Sequence, residues 1–374
     1  MKVEHPFTNR EKDRYSRHLS LPGFEIAHQV KLKNARVLVV GAGGLGCPVL
    51  QYLTAAGIGT IGIMDADTIS ISNLQRQILF QEADLGKPKA LVAAERIKAL
   101  HSHVNAITIQ QALTSHNALA LCRNFDLIID CTDNFPTRYL INDVSVLLNI
   151  PFIYASVFRY EGQVSVFNVN GGPTYRDLFP IPPEPGSVVS CEEGGVLGVL
   201  PGIIGCLQAN EAIKLITGLG ESLAGKLLIL DSYTLETNII SIPNQNERKK
   251  VTGLIDYDHF CKTTKAAHTM KEVTVQELKS MMDSKADFQL IDVREPHEFD
   301  ICNLNGELIP QGDIPHNVDK ISKDKQVVIH CRSGARSGNM VQWLEKNHGF
   351  TNLYNLKGGV LAWAKEIDPS MPTY

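Results

Sequence analysis

At 374 residues, with 44% hydrophobic and 20% charged residues, the chain has the composition of a soluble globular protein long enough for two domains. Its net charge of −4 offers no electrostatic case for nucleic acid, and no apolar run approaches the length of a membrane span. The N-terminus lacks a signal-peptide core, and the eight cysteines form no C-x2-C pair, so they read as free thiols in a reducing, cytoplasmic compartment.

Up to about residue 240, β-branched runs alternate with helical periods. Strands are predicted over 36–40, 60–65, 106–109 and 127–131, and helices over 47–56 and 88–100. That alternation predicts an α/β fold on an open, mostly parallel sheet. Strands over 151–157, 162–169 and 226–231, with a helix over 203–217, extend the same domain. Polar stretches at 244–250 and 262–270 place a linker over 246–270, between a first domain over 1–245 and a second over 271–374.

Between the first predicted strand and helix lies Gly41-Ala42-Gly43-Gly44-Leu45-Gly46. Strand, glycine turn and helix N-terminus make a phosphate-binding unit, because glycines admit close backbone approach and the helix dipole favours an anion. Asp65, closing the next strand, is placed to accept from ribose hydroxyls. Taken alone, this pattern would equally suit a dehydrogenase. Ser72-Asn73-Leu74-Gln75-Arg76 and Gly86-Lys87-Pro88-Lys89 then add amide, guanidinium and ammonium groups, which suit a triphosphate better than a nicotinamide. Asp133-Asn134 follows an apolar strand, where a carboxylate can hold Mg2+ against phosphate oxygens.

Residues from about 14 to 242 closely resemble the ubiquitin-activating-type adenylyltransferases of the MoeB/ThiF family. The resemblance rests on Arg14-Tyr15-Ser16-Arg17, the glycine turn, Ser72 to Arg76, Lys89, Cys131-Thr132-Asp133-Asn134 and Glu192-Glu193-Gly194-Gly195-Val196. It implies a Rossmann-like adenylation domain in which a carrier's C-terminal carboxylate attacks the α-phosphate of ATP and releases pyrophosphate. The nucleotide-binding set it implies is Gly41, Gly43, Gly44, Asp65, Ser72, Asn73, Leu74, Gln75, Arg76, Arg17, Lys89, Asp133 and Asn134. Within that set Gly44 and Asp65 contact the nucleotide, Asn73 and Lys89 hold its phosphates, and Asp133 binds magnesium. Arg17 and Arg76 neutralise pyrophosphate, one of them across a homodimer interface. The implied partner is a ubiquitin-fold sulfur carrier ending in Gly-Gly, MoaD-like (molybdopterin) or ThiS-like (thiamine), with the molybdopterin carrier favoured.

Cys191 follows a proline-rich stretch and precedes two glycines, which predicts an exposed loop. The resemblance gives this cysteine a covalent role toward the activated carrier, although Glu192 and Glu193 beside it disfavour a thiolate. Cys47, Cys122, Cys131, Cys206 and Cys302 lie in apolar or helical contexts and read as inert. Many family members bind a structural zinc through two C-x2-C pairs. Here the matching positions are Thr174 and Asp177, then Cys261 and Thr264, so no structural zinc is expected even with His259 nearby.

In the second domain, His330-Cys331-Arg332-Ser333-Gly334-Ala335-Arg336-Ser337 follows the strand-like Gln326-Val327-Val328-Ile329. A short loop between strand and helix turns backbone amides toward the sulfur, and Arg332 and Arg336 add positive charge, which favours an anion there. Cys-x4-Arg is one residue shorter than the Cys-x5-Arg expected of a phosphatase, and suits a sulfur better than a tetrahedral phosphate. Residues from about 273 to 374 resemble a small α/β rhodanese domain, through Ile291-Asp292-Val293-Arg294-Glu295 and Gly358-Gly359-Val360-Leu361-Ala362-Trp363. The resemblance implies a persulfide on Cys331 in the loop Arg332, Ser333, Gly334, Ala335 and Arg336. It also implies an upstream sulfur donor, a cysteine desulfurase or thiosulfate. Cys331, Cys191, Arg76 and Asp133 are the expected catalytic residues, with ATP and Mg2+ as cofactors. The expected product is a carrier thiocarboxylate for molybdenum-cofactor biosynthesis. The competing readings are an oxidoreductase, a phosphatase, a binding scaffold without catalysis and a tRNA dehydratase.

Overall fold

The computed structural model describes residues 6–183, 195–243, 251–262 and 270–373, and the chain divides into two compact units that part between Cys261 and Lys262. The first unit is built on eight strands: β1 (Arg36–Val40), β2 (Thr60–Met64), β3 (Asn105–Ile109), β4 (Leu127–Asp130), β5 (Phe152–Phe158), β6 (Glu161–Phe167), β7 (Lys226–Asp231) and β8 (Thr237–Ser241). Their order is β3-β2-β1-β4-β5-β6-β7-β8. The first five run parallel, and β6 to β8 extend the sheet by antiparallel pairing. Along β1 the side chains alternate between two cores. Val37 and Val39 join Ile61, Ile63 and Ile129 on one face, while Leu38 and Val40 join Met64 and Ile128 on the other. Both faces are covered, so the central strands read as continuous apolar runs. The strand order reverses between β1 and β4, which leaves a crevice at their carboxyl ends.

The helix Val199–Thr217 starts earlier than its apolar period suggests, because Pro201 in the first turn needs no intrahelical donor. Its 19 residues are long and apolar enough to cross a membrane by composition, contrary to the sequence expectation. Here it packs on β5, β6 and the helix Gly46–Ala56, and it carries the Glu211–Lys214 ion pair. The helix Tyr257–Lys262 lies inside the expected linker, yet all of it up to Cys261 belongs to the first unit. Tyr257 is buried there and donates to Asp143 Oδ2 at 2.7 Å.

The second unit holds five parallel strands: β9 (Glu272–Val273), β10 (Phe288–Asp292), β11 (Glu307–Leu308), β12 (Gln326–His330) and β13 (Leu353–Leu356), ordered β11-β10-β12-β13-β9. Val327 and Ile329 of β12 enter one core, and Val328 enters the other. The helix Ala335–His348 leaves from the end of β12 and places the Cys331 loop at the sheet's carboxyl edge.

Candidate nucleotide site and candidate sulfur site

Two loops meet where β1 and β4 end. Gly41 has φ of +98°, and a Cβ there would stand 2.6 Å from the carbonyl oxygen of Cys131. A Cβ on Gly46 would stand 2.1 Å from the Gly41 carbonyl, so the turn closes only without side chains at those positions. Asp65, just past β2, accepts from the Ala42 amide at 2.8 Å and the Asp67 amide at 2.8 Å. Burial raises the Asp65 carboxyl above its ordinary range, and the two amides oppose that rise.

Arg76 reaches the same turn. A Cβ on Gly44 would lie 3.4 Å from Arg76 Cγ, and Arg76 Nη1 donates to the Ser72 carbonyl at 3.0 Å. Ser72 and Asn73 sit in the 3-10 turn Ile71–Asn73, where Asn73 Oδ1 accepts the Ser70 amide at 3.2 Å. Leu74 packs against the core, and Gln75 lies against Gly198. Lys89 is buried, its ammonium 2.9 Å from the exposed Asp67 carboxylate. Asp133 is exposed just past β4. Asn134 caps the helix Phe135–Leu148 by accepting the Thr137 amide at 2.9 Å, which fixes the loop that carries Asp133. Arg17 stands exposed on the helix Asn9–Leu19, and among the described residues no hydrogen bond or ion pair joins it to the turn. Cys191 lies outside the described residues.

Sequence reasoning missed three supports of this site. Gln77 is buried with its Oε1 unpartnered, and its Nε2 would lie 3.7 Å from a Cβ on Gly43. Beneath the Asp133 loop, buried Asp130 accepts from the Thr132 hydroxyl at 2.6 Å and from Arg138 Nε at 3.3 Å. Gln208 Nε2 donates to the Asp130 carbonyl at 2.7 Å. The only signal available for Gln77 was its place directly after Ser72 to Arg76. Contacts made 78 residues apart, as between Gln208 and Asp130, carry none.

In the second unit Cys331 is 1% exposed, and its Sγ accepts the Gly334 amide at 3.1 Å. The backbone around it is held by the first turn of the helix Gly359–Glu366: the Val360 and Leu361 amides donate to the Cys331 and Arg332 carbonyls at 2.9 and 3.0 Å. Gly334 has φ of +93°, and Ala335 opens the helix. Arg336, expected to add charge at the sulfur, is instead gripped by Glu298 through two bonds of 2.6 Å. Arg332 and Ser333 are half-buried in the loop, and Ser333, Gly334 and Ala335 also line a cavity of about 300 Å³ beside Asn355 and Asn339. Burial pushes the thiols of Cys47 and Cys122 up to about 12, which removes them as nucleophiles. Cys261 is pushed up to about 11, and Asp177 is taken up by Thr174, whose amide and hydroxyl donate to it at 2.7 and 2.9 Å.

Residues 15–251 match the ThiF family, and residues 274–366 match the rhodanese-like domain. The chain belongs to the ThiF family. Among ThiF relatives is the Mycobacterium tuberculosis protein named Probable adenylyltransferase/sulfurtransferase MoeZ, 44% identical over 98% of this chain and 96% of that protein. Adenylyltransferase and sulfurtransferase MOCS3 of Danio rerio is 39% identical over 100% of this chain and 90% of its own length. The fold is also that of E. coli MccB, with a TM-score of 0.58 at 23% identity over 71% of this chain and 77% of MccB. This ThiF member is therefore an enzyme, an adenylyltransferase with sulfurtransferase activity, and ATP is its nucleotide.

Proposed function

We propose that the enzyme adenylates the C-terminal Gly-Gly of a ubiquitin-fold sulfur carrier and then delivers sulfur to it, giving a thiocarboxylate for molybdenum-cofactor biosynthesis. The observation that carries this reading is the convergence of the glycine turn, Asp65 and Arg76 beside β1 and β4, on one chain with a cradled Cys331. In the first step a carboxylate oxygen attacks the α-phosphorus, and pyrophosphate leaves with the bonding electrons. Such a step needs positioning and charge neutralisation more than a general base. The turn and Asp65 are assigned the nucleotide, with Ser72, Asn73, Leu74, Gln75 and Asn134 beside it, and Arg76 and Lys89 its phosphates. Asp133, an exposed hard oxygen donor, fits Mg2+, which supplies charge neutralisation at the phosphates. In the second step the outer sulfur of a Cys331 persulfide attacks the acyl carbon and AMP leaves. Cys191 is assigned the release: its thiolate attacks Cys331 Sγ, a Cys191–Cys331 disulfide forms, the S–S bond to the acylated outer sulfur breaks, and the carrier thiocarboxylate leaves with the electron pair. A thiol reductant then restores both cysteines.

A protein acceptor is supported by the exposed apolar side chains of Tyr233, Leu235, Ile239 and Ile240 on and before β8, an edge strand of the sheet among the described residues. The reading includes a cytoplasmic homodimer in which Arg17 or Arg76 serves the neighbouring subunit's nucleotide, and a cysteine desulfurase or thiosulfate as sulfur source. It is tested by ATP–pyrophosphate exchange with a molybdopterin carrier and a thiamine carrier. Exchange is expected with the molybdopterin carrier and falls about 100-fold in Asp133→Ala. Exchange with the thiamine carrier alone moves the enzyme to that pathway, and exchange with neither contradicts adenylation of a Gly-Gly tail.

A further inference from the structure

Gly334 is not the only donor at Cys331. Ser337, in the first turn of the helix Ala335–His348, is fully buried with its Oγ 3.4 Å from Cys331 Sγ. A serine hydroxyl has one proton to give. Two further acceptors are in reach, the Gly334 carbonyl at 3.3 Å and Asn355 Oδ1 at 2.7 Å. Asn355 lies on β13, is 3% exposed, and offers the shortest of the three contacts. Arg336 is engaged by Glu298 and Arg294 by Asp292, while Arg332 stands half-buried beside Cys331 in the loop. His330, next to Cys331 in the chain, is fully buried and neutral.

We infer that Ser337 is a positioning residue for sulfur chemistry at Cys331. Its hydroxyl rests on Asn355 and swings to the sulfur whenever Sγ carries negative charge. The inference rests on the reading that Cys331 carries the persulfide. With thiosulfate, the Cys331 thiolate attacks the outer sulfur, a new S–S bond forms, the S–S bond of thiosulfate breaks, and sulfite leaves with the electron pair. Cyanide carbon then attacks the outer sulfur of the persulfide. The S–S bond breaks, thiocyanate leaves, and the electron pair returns to Sγ as thiolate. No proton and no outside oxidant is needed. The hydroxyl swings to Sγ as that charge returns, and a hydrogen bond to a charged acceptor is the strong kind.

The test is thiosulfate-to-cyanide sulfur transfer by the full-length enzyme. Variants are Cys331→Ser, Ser337→Ala, and the equal-volume pair Ser337→Thr and Ser337→Val. Both tryptophans, Trp343 and Trp363, lie in the second unit, so intrinsic fluorescence checks its fold separately. Cys331→Ser is expected to make no thiocyanate. Ser337→Ala and Ser337→Val are expected to lower kcat about tenfold with KM for thiosulfate unchanged, and Ser337→Thr to restore it. Where Ser337→Ala loses native fluorescence, the threonine and valine pair decides. Equal kcat for that pair, with Cys331→Ser inactive, overturns the role of Ser337 alone. Turnover by Cys331→Ser overturns the reading beneath it.

Discussion

Arg294 and Asp292 are both 0% exposed and paired at 2.6 Å, with Arg294 also donating to the Cys302 carbonyl at 2.7 Å. Removing one partner of such a pair strands a buried charge, at a cost of about 3–5 kcal/mol. Arg294→Met is therefore expected to destabilise the second unit by that amount in urea unfolding followed by tryptophan fluorescence. His330 adds a pH dependence. Both ring nitrogens are buried without hydrogen-bond partners among the described residues, Nε2 standing 3.8 Å from Asp292 Oδ2, and burial pushes the ring from its ordinary 6.5 down to about 4 against the pull of that carboxylate. Below about pH 6.5 the unfolded chain takes up a proton that the folded unit refuses. Stability falls as pH drops through that window and levels off below about 4. Between about pH 7 and about pH 5 the expected loss is about 2 kcal/mol, absent in His330→Phe, and an equal loss in the variant would contradict it. The sequence placed Cys331, Arg332 and Arg336 on one loop; the structure keeps Cys331 and Arg332 there and puts Arg336 in the first turn of the helix Ala335–His348. What it hid was the partner of Arg336, because Glu298 lies 38 residues upstream.

Glycine at a strand end is the element whose meaning was most readable in advance. A run of β-branched residues, then Gly41 to Gly46, then helical period predicts strand, turn and helix, and β1 and the helix Gly46–Ala56 follow it. Gly41→Ala combines a positive φ with a backbone contact at 2.6 Å, so the turn must shift. Loss of ATP binding is expected, measured by equilibrium titration with nucleotide, while the sulfurtransferase activity stays at its normal rate. Other elements were less legible. The helix Asn9–Leu19 has a mean composition too polar for an apolar period to stand out, though Thr8 and Glu11 form a capping box at its start. β6 to β8 read as strands or not at all, and their antiparallel pairing lies in long-range register rather than local pattern. Tyr257–Lys262 sits in polar sequence, and it folds because Tyr257 reaches Asp143 and Phe260 meets Tyr139 at 5.4 Å. Arg176 holds the same carboxylate through bonds of 2.7 and 2.8 Å. With Asp177 committed to Thr174, metal analysis of the purified enzyme is expected to find no stoichiometric zinc, and one equivalent would contradict that.

For the whole chain, the family and both activities follow from matches that together span residues 15–251 and 274–366. The α/β class of both units was legible because parallel sheets leave continuous apolar strands between amphipathic helices. The substrate was less legible, since carrier choice depends on a surface and not on a motif. On the proposed reading, joining the two chemistries in one chain raises the effective concentration of persulfide at the acyl-adenylate toward the millimolar range. Its most direct test is the mass of the carrier after incubation with enzyme, ATP, Mg2+ and thiosulfate. The account predicts replacement of one C-terminal oxygen by sulfur with the wild-type chain and an unmodified carrier with Cys331→Ser. Thiocarboxylate formed at the wild-type rate by Cys331→Ser would contradict delivery of sulfur by Cys331.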